Sequence, residues 1–317
     1  MPTVEIPSRL GYHINHLIDR ADPRGKGGIS VKDGFIKAAA ATPRIRVADC
    51  AYNAGQIAAL MAEAAEQGVK LLALPELCLT GYTCGDLFLQ DTLLDGAEAG
   101  LAYILRETAE LDMLTAVGVP VRCKWDNKLY NCAAVIQKGK ILGLIPKLYL
   151  PNYGEFYEQR WFVSGRGVDY AVSLCGQDCI PLCAGGLFEC AGMPGLVVGV
   201  ELCEDLWAAE PPSVRLARAG ATVILNLSAS DEVAGKAAYR RQLVSGQSAR
   251  LLCGYVYADA GQGESSTDMV FAGHNMIAEN GALLAENRFS TGLTATELDV
   301  GRLVYERRRM TTFSGDT

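Results

Sequence analysis

The sequence has little of what nucleic-acid-binding and membrane proteins carry. Its 317 residues hold 29 lysines and arginines against 36 aspartates and glutamates, a formal net charge of −7. This acidic balance argues against a nucleic-acid surface or a polybasic membrane patch. Asp, Glu, Lys or Gly interrupts each apolar run before it could span a bilayer, and the N-terminus lacks the charged-then-apolar order of a signal peptide. We therefore predict a soluble, cytoplasmic protein without a nucleic-acid or membrane partner.

Histidine is also scarce, which limits how a nucleophile could be activated. Of the three histidines, His13 and His16 lie near the N-terminus and only His274 lies in the body of the chain. A thiol nucleophile is often paired with a histidine base. Here such a dyad would have to join Cys203 to His274, and nothing else in the sequence favours that pair.

The eleven cysteines lack the patterns of a disulfide framework or a zinc site. A chain of this length with an odd number of cysteines is not a small disulfide scaffold. One run of cysteines has neither paired C-x-x-C spacings nor a nearby histidine, so we interpret it as structural thiols and predict no metal. This run is Cys175, Cys179, Cys183 and Cys190. Four further cysteines in apolar contexts are expected to be buried: Cys50, Cys78, Cys132 and Cys253.

What the sequence does contain is an alternation of strand and helix patterns. Residues 1–32 are charged, Gly-rich and unpatterned, which predicts a flexible leader before one domain at 33–317. From Phe35 onward, apolar runs of strand length alternate with helical spacing, and turn dipeptides at Lys138-Gly139 and Asn280-Gly281 predict hairpins. The predicted helices are 53–67, 101–111, 213–219 and 236–250. This order predicts mixed sheets faced by helices, as a four-layer α-β-β-α sandwich.

Three apolar strands end on ionisable residues of different types. Glu76 follows LLALP, Lys147 follows LGLIP and Cys203 follows VVGVEL. The carboxyl ends of strands gather at one edge of an α/β sheet, where ligands bind. A strand ending in a sharp turn is also a way to present a nucleophile. We therefore expect these three side chains to meet in one site.

The three groups together can carry out acyl transfer. A thiolate at Cys203 would be the nucleophile, and a buried carboxyl at Glu76, its pKa raised, could serve as the base. Lys147 could stabilise an oxyanion, an effect worth about 3 kcal/mol for one donor. Taken singly, each residue is more often unremarkable, because a charged strand end is usually a solvated rim residue and a single cysteine an apolar filler. Their coincidence favours the site.

The segments around these residues resemble a known family. LALPELCLTGY, LIPKLYLPNYGEFYE and GVELCEDLW resemble the three catalytic segments of the nitrilase, or carbon–nitrogen hydrolase, superfamily. ATPRIRVADCAYN, GYTCGDLFLQD, LPNYGEFYEQRWF and NLSAS narrow the resemblance to the glutaminase domain of glutamine-dependent NAD synthetases. The resemblance extends from about Phe35 to Phe313.

The resemblance implies a role for each matching residue. Cys203 would attack the side-chain amide of glutamine, Glu76 would move the protons, Lys147 would hold the oxyanion, and Glu158 matches a second acid. The implied glutamine-binding residues are Tyr82, Tyr153, Glu204, Ser230 and Lys236. The family more often has arginine where this chain has Lys236, and lysine lacks the bidentate grip of arginine on a carboxylate.

The resemblance also implies a partner. Ammonia released through a cysteine thioester would serve a synthetase domain that uses ATP and Mg to convert deamido-NAD to NAD. No SGGxDS-type loop occurs in the sequence, so we expect that domain on a longer polypeptide or a separate subunit, and no cofactor for this domain. We further expect a homo-oligomer. Two alternatives remain: a stand-alone amidase acting on another small amide, and a non-catalytic scaffold for a synthetase.

Overall fold

The computed structural model of the protein describes residues 34–313 and the strand Gly11–Ile14. In chain order the strands are Gly11–Ile14 (β1), Phe35–Thr42 (β2), Leu71–Ala73 (β3), Leu114–Cys123 (β4), Lys128–Gln137 (β5), Lys140–Pro146 (β6), Asp169–Leu174 (β7), Gln177–Cys183 (β8), Leu187–Cys190 (β9), Val197–Leu202 (β10), Val223–Ser228 (β11), Gly254–Asp259 (β12), Asn275–Glu279 (β13), Ala282–Asn287 (β14) and Gly292–Asp299 (β15). The α-helices are Cys50–Glu66 (α1), Asp91–Glu107 (α2), Pro212–Arg218 (α3), Lys236–Leu251 (α4) and Val300–Arg309 (α5).

The strands form two mixed sheets. One has seven strands in the order β1-β9-β10-β11-β12-β13-β14, and the other has eight in the order β15-β2-β3-β4-β5-β6-β8-β7. The inner strands β10, β11 and β12 are parallel, as are β2, β3 and β4, whereas antiparallel hairpins extend both sheets. Parallel strands buried on both faces require near-continuous apolar runs, which is the pattern of these segments.

Alternation along each strand produces the layers. In β2, Ile36 and Ala38 lie between the two sheets, where β2 packs on β12 and β13, whereas Ala39 and Ala41 belong to the core beneath α1 and α2. The outer face of the seven-stranded sheet packs on α3 and α4. The helices and sheets therefore stack as α-β-β-α, and the predicted fold class is confirmed.

Three of the predicted helices are found with small shifts at their ends, and one of them, α3, begins and ends one residue before its predicted span of 213–219. Helix α1 begins at Cys50, three residues before the predicted start, because the Asp49 side chain caps it by accepting a hydrogen bond from the Tyr52 N–H at 3.1 Å. It ends before Gly68, whose φ of 78° suits glycine at this position. Helix α4 matches its predicted span to within one residue.

Other elements differ from the sequence prediction. Helix α2 covers Asp91–Glu107 rather than 101–111. Gly100 interrupts the helical pattern of α2, and the helix packs closely on α1 at this glycine, where an added Cβ would lie 3.2 Å from the Cys50 carbonyl oxygen. Strands β7, β8, β9 and β15 and helix α5 were not predicted. Strand β7 is mostly exposed at a sheet edge, so it has no clear apolar alternation.

The cysteines and the N-terminal segment can now be placed. Cys50, Cys78, Cys132 and Cys253 are buried, as predicted. The cysteine run lies on β8, β9 and the β7–β8 turn, and within the described residues no group of three His, Cys, Asp or Glu side chains could hold a metal ion. Four residues of the predicted leader form β1, which pairs with β9 in parallel. Residues 1–10, 15–33 and 314–317 lie outside the described part, and in that part no helix is long and apolar enough to cross a bilayer.

Candidate active site

The two charged strand-end residues of the sequence analysis meet in a buried cluster. Glu76 follows β3 and Lys147 follows β6, both in the eight-stranded sheet. The Lys147 Nζ lies 2.6 Å from Glu76 Oε1 and 2.5 Å from Glu158 Oε1. All three side chains are at most 1% exposed. A cation buried between two carboxylates is strongly held, because each charge lacks water as an alternative partner.

Glu76 is held by contacts that the sequence did not reveal. The backbone around Glu76 packs directly on Gly118 of β4. A Cβ at Gly118 would overlap the backbone of Pro75 and Leu77, so glycine is needed there. The Asn131 Nδ2 donates to Glu76 Oε1 at 2.6 Å, and the Ala229 N–H donates to Glu76 Oε2 at 3.1 Å. Asn131 is a polar residue in the middle of the buried strand β5, and that anomaly was the available signal. The Ala229 contact spans both sheets and leaves no trace in the sequence pattern.

Glu158 lies in a short 3-10 turn after the aromatic loop and completes the cluster. Its Oε1 accepts a hydrogen bond from the Tyr82 hydroxyl at 2.7 Å. Burial raises the pKa of Glu158 to about 7, while the Lys147 charge acts against the rise and the Glu76 charge adds to it. The Glu264 carboxylate in turn holds the Tyr82 backbone, accepting from its N–H at 2.7 Å. Tyr82, expected to contact glutamine, thus directs its hydroxyl to the second acid.

Cys203 lies at the end of β10, beside this cluster. Its backbone has a φ of 42°, the left-handed conformation that non-glycine residues rarely adopt, and its side chain is buried. Burial raises the pKa of the thiol well above its usual value, the Glu76 charge adds to the rise and the Lys147 charge opposes it. The thiol is therefore protonated at neutral pH, and attack by its sulfur requires a base.

That base is not histidine. The His274 Nδ1 lies 2.9 Å from Arg240 Nη1, and its Nε2 lies 2.6 Å from Glu286 Oε1. Both ring nitrogens are thus engaged by residues other than Cys203. The Cys203–His274 dyad that the sequence left open is not formed.

The Lys147 ammonium has a suitable charge for stabilising an oxyanion. Burial by itself lowers the pKa of Lys147, but the Glu158 and Glu76 carboxylates outweigh it and raise this pKa well above its usual value. Lys147 therefore stays cationic. An ammonium carries three N–H donors, and two of them serve the two carboxylates. The third can bind an oxygen that becomes negative beside the Cys203 sulfur.

Two of the expected substrate-binding residues contact each other near the site. The Tyr153 hydroxyl donates to Glu204 Oε1 at 2.8 Å, and Tyr153 is 60% exposed. Both residues line a surface cavity of about 520 Å³ beside the loop that follows Lys147. A carboxylate and a hydroxyl in this arrangement suit a ligand with a positively charged group.

The two remaining candidates, Ser230 and Lys236, follow β11. The Ser230 Oγ is buried and accepts a hydrogen bond from Arg240 Nη2 at 3.1 Å. Lys236 forms an ion pair with Asp231. Burial raises the pKa of Glu204, and the Lys236 charge is one of the influences that oppose this rise, so the two side chains are within electrostatic range of each other.

The rings of two aromatic residues flank the Lys236 ammonium. Its Nζ lies 5.6 Å from the centre of the Phe156 ring and 5.2 Å from that of Trp207. Such distances are within the range of cation–π attraction. Near the buried cluster there is thus an acid, Glu204, and a cation, Lys236.

The chain is similar to known proteins in sequence and in structure. The profile of the carbon-nitrogen hydrolase family matches residues 37–306. A glutamine-dependent NAD(+) synthetase of Mycobacterium bovis is 43% identical over 283 residues, which cover 88% of this chain and 41% of that protein. The human glutamine-dependent NAD(+) synthetase is 30% identical over 278 residues, covering 80% of this chain and 38% of the human protein. The chain thus spans about two fifths of the length of these relatives.

Solved structures share the fold. A glutamine-dependent NAD(+) synthetase from Cytophaga hutchinsonii superposes with a TM-score of 0.71 at 31% identity, covering 83% of this chain and 43% of the other. A nitrilase-superfamily amidase from Nesterenkonia, at 19% identity, shares the fold with a TM-score of 0.68 over 89% of this chain and 97% of its own. These matches confirm the resemblance found in the sequence: the chain belongs to the carbon–nitrogen hydrolase family.

Proposed function

We propose that this protein is a glutaminase, which hydrolyses the side-chain amide of glutamine to glutamate and ammonia. The observation that carries the proposal is the contact of Lys147 with both Glu76 and Glu158 in a buried cluster beside the Cys203 thiol. The names of the relatives supply the substrate. A thiol, a carboxylate and an ammonium together provide the nucleophile, the proton carrier and the oxyanion donor that amide hydrolysis needs.

In the first half of the reaction, Glu76 takes the proton of the Cys203 thiol as the sulfur attacks the amide carbon. The carbonyl electron pair moves onto oxygen, and the third N–H of Lys147 stabilises the resulting oxyanion, an effect of about 3 kcal/mol. Glu76 then gives its proton to the amide nitrogen. The carbon–nitrogen bond breaks, ammonia leaves and a thioester remains on Cys203.

In the second half, Glu76 takes a proton from water as the water oxygen attacks the thioester carbon. Lys147 again stabilises the oxyanion. The carbon–sulfur bond then breaks, glutamate leaves, and Glu76 returns the proton to the sulfur. Throughout the cycle Glu158 keeps Lys147 in place, and the Tyr82 hydroxyl orients Glu158.

The ends of glutamine would be recognised by the residues around the cluster. Glu204, oriented by Tyr153, would bind the α-ammonium group. Lys236 would bind the α-carboxylate, and the Ser230 hydroxyl, which accepts from Arg240, would donate its own hydrogen to the same carboxylate. This assignment requires Lys236 to turn partly away from Asp231 when glutamine enters.

The ammonia would be consumed by a synthetase that uses ATP and Mg to amidate deamido-NAD. The support for this acceptor is the name shared by the relatives, of which this chain matches about two fifths. The synthetase is therefore the partner that we propose. A cytoplasmic location and a homo-oligomeric state remain predictions from the sequence.

The decisive experiment measures glutamate release from glutamine by the Cys203→Ala variant. We expect the rate to fall by at least about 10³-fold, because the nucleophile is lost. Cys253→Ala, a change at another fully buried cysteine, should keep most of the activity. Undiminished glutamate release by Cys203→Ala would end the proposal.

Two further measurements separate the alternatives. A stand-alone amidase would have a higher kcat/KM for simple aliphatic amides than for glutamine, and a glutaminase the reverse. A non-catalytic scaffold would form no adduct with an electrophilic glutamine analogue. We expect mass spectrometry to find the adduct on the peptide that contains Cys203.

A further inference from the structure

Asp205 is a buried carboxylate, two residues after Cys203, whose contacts reach both sides of the candidate site. It is 1% exposed. Its Oδ2 accepts a hydrogen bond from the Leu202 N–H at 3.0 Å. Its Oδ1 accepts from the Leu148 N–H at 3.1 Å and from the Tyr149 N–H at 2.8 Å. One side chain thus joins the segment just before Cys203 to the segment just after Lys147.

The contact with Leu202 bears on the geometry of Cys203. Leu202 ends β10, and the chain then turns into a 3-10 helix that starts at Cys203. The turn places Cys203 at a φ of 42°, a conformation that costs energy in any residue with a Cβ. The hydrogen bond from the Leu202 N–H to Asp205 closes this turn around the cysteine and so keeps the sulfur where the turn puts it.

The contacts with Leu148 and Tyr149 bear on Lys147. These two residues begin the long loop that follows β6. A buried backbone N–H group without a hydrogen-bond partner costs free energy, and Asp205 is the acceptor for both of these groups. Burial raises the pKa of Asp205 to about 8, and the N–H donors around its carboxyl group act in the opposite direction. The backbone next to Lys147 is therefore held by the same side chain that holds the Cys203 turn.

We propose that Asp205 is a positioning residue that sets the distance between the Cys203 sulfur and the Lys147 ammonium. The two groups come from different sheets, so no hydrogen bond of either sheet fixes their separation. Asp205 supplies such a link across the sheets. The inference rests on the proposed roles of Cys203 and Lys147. It goes beyond these roles by naming the side chain that keeps the nucleophile and the oxyanion donor at a fixed separation.

The test compares Asp205→Asn with Glu201→Gln in the full chain. Both changes convert a carboxylate that is 1% exposed into an amide of the same size, four residues apart. Glu201 is bound by the Ser213 N–H at 2.7 Å and by the Tyr255 hydroxyl, away from Lys147. A displacement of about 1 Å at reacting groups can cost roughly 10²-fold in rate. For Asp205→Asn we therefore expect kcat for glutamine to fall about ten- to a hundredfold, with KM changed less than about threefold.

A second readout does not depend on the substrate. The rate at which iodoacetamide alkylates Cys203 at neutral pH, followed by peptide mass spectrometry, should fall at least about fivefold in Asp205→Asn, since Glu76 and Lys147 no longer assist loss of the thiol proton. Glu201→Gln should keep both kcat and the alkylation rate, whatever it loses in Tm. Equal losses of kcat in the two variants, or an unchanged alkylation rate in Asp205→Asn, would overturn the proposal. If the wild-type protein does not hydrolyse glutamine, the proposed function fails, and the alkylation comparison still decides the role of Asp205.

If Asp205→Asn does not fold, hydrogen exchange on the wild-type protein tests the proposal instead. The amides of Leu148 and Tyr149 should exchange far more slowly than those of the exposed residues 152–154 in the same loop, because they are bonded to a buried carboxylate. Equally fast exchange at both places would contradict the proposal.

Discussion

Two buried cations with different surroundings lie near the site. Lys147 and Arg240 are both fully buried. Lys147 makes two short ion pairs, to Glu76 and Glu158, and both pairs lie beside a thiol. The five N–H groups of Arg240, in contrast, are all directed at acceptors within the fold. These acceptors belong to Ser230, Asp231, Glu232 and His274.

The difference separates the cluster that we propose to be reactive from a structural one. An arginine whose five N–H groups are all hydrogen-bonded has no donor left for a ligand. Its planar guanidinium group holds the surrounding loop rigidly. Lysine is a compact charge with three donors, of which the two carboxylates use two. One donor therefore remains for a developing negative charge, which suits catalysis. Burial of a cation alone does not identify a catalytic residue; the number of its donors that the fold leaves unused does.

The largest expected effect that tests this comparison is on activity. Lys147→Met should lower kcat for glutamine by about 10²- to 10³-fold or more, since an oxyanion donor is lost. It should also lower the free energy of unfolding by about 3–5 kcal/mol, because two buried carboxylates lose their cation. Arg240→Met should cost a similar free energy of unfolding, but its kcat per folded molecule should fall by no more than about tenfold.

Steady-state kinetics and chemical denaturation measure the two quantities on the same preparations. The distinction between the clusters is wrong if Arg240→Met loses as much kcat as Lys147→Met at equal folded concentration. It is equally wrong if Lys147→Met retains wild-type kcat.

A smaller effect concerns pH and the second acid. The pKa of Glu158 in the folded protein is raised to about 7, above its ordinary value, because the carboxyl is buried. In the pH range between these two values the folded state binds more protons than the unfolded state, so the contribution of Glu158 to stability is present at low pH and is lost as pH rises through about 7. The Tm of the wild-type protein, relative to that of Glu158→Gln, should therefore fall by a few degrees between about pH 5 and about pH 8.

Differential scanning calorimetry of both proteins across this pH range makes the measurement. Glu158→Gln resembles the protonated acid in shape and does not titrate, which makes it the matched reference. A difference in Tm that rises with pH would show that Lys147 outweighs burial and that the pKa of Glu158 is lowered instead.

The smallest expected effect is on substrate affinity. Lys236→Arg should lower KM for glutamine by roughly three- to tenfold and leave kcat nearly unchanged, because a guanidinium binds a carboxylate through two parallel hydrogen bonds. Lys236→Met should raise KM instead. If neither substitution changes KM, Lys236 serves only its ion pair with Asp231, and the carboxylate of glutamine binds elsewhere.

Much of the fold could be predicted because its signals are local. The strand β2, the helix α4 and the two hairpins follow from apolar periodicity and turn dipeptides within a few residues. The first half of α2 was missed because Gly100, where α2 packs closely on α1, weakens the helical pattern. Strand β7 was missed since an exposed edge strand needs no apolar alternation.

The candidate site was predictable only in part. Glu76, Lys147 and Cys203 were selected because each follows a buried strand. The fold brings Glu76 and Lys147 into contact with each other, and Cys203 lies within electrostatic range of both. Asn131 and Glu264 were missed. Asn131 contacts Glu76 across 55 positions of the chain, and Glu264 contacts Tyr82 across 182. No periodicity in the sequence reports such pairs.

The sequence by itself determined the family, the layered class of the fold and the types of reactive group available, because these depend on composition, local pattern and short motifs. Only the tertiary structure decided which groups meet: that Lys147 lies between two acids, that His274 belongs to Arg240 and Glu286, and that Asp205 ties two loops together. The physical reason is the short range of the interactions that hold these groups together. Hydrogen bonds and buried ion pairs act over about 3 Å, and the packing of two sheets, rather than distance along the chain, sets which atoms come that close.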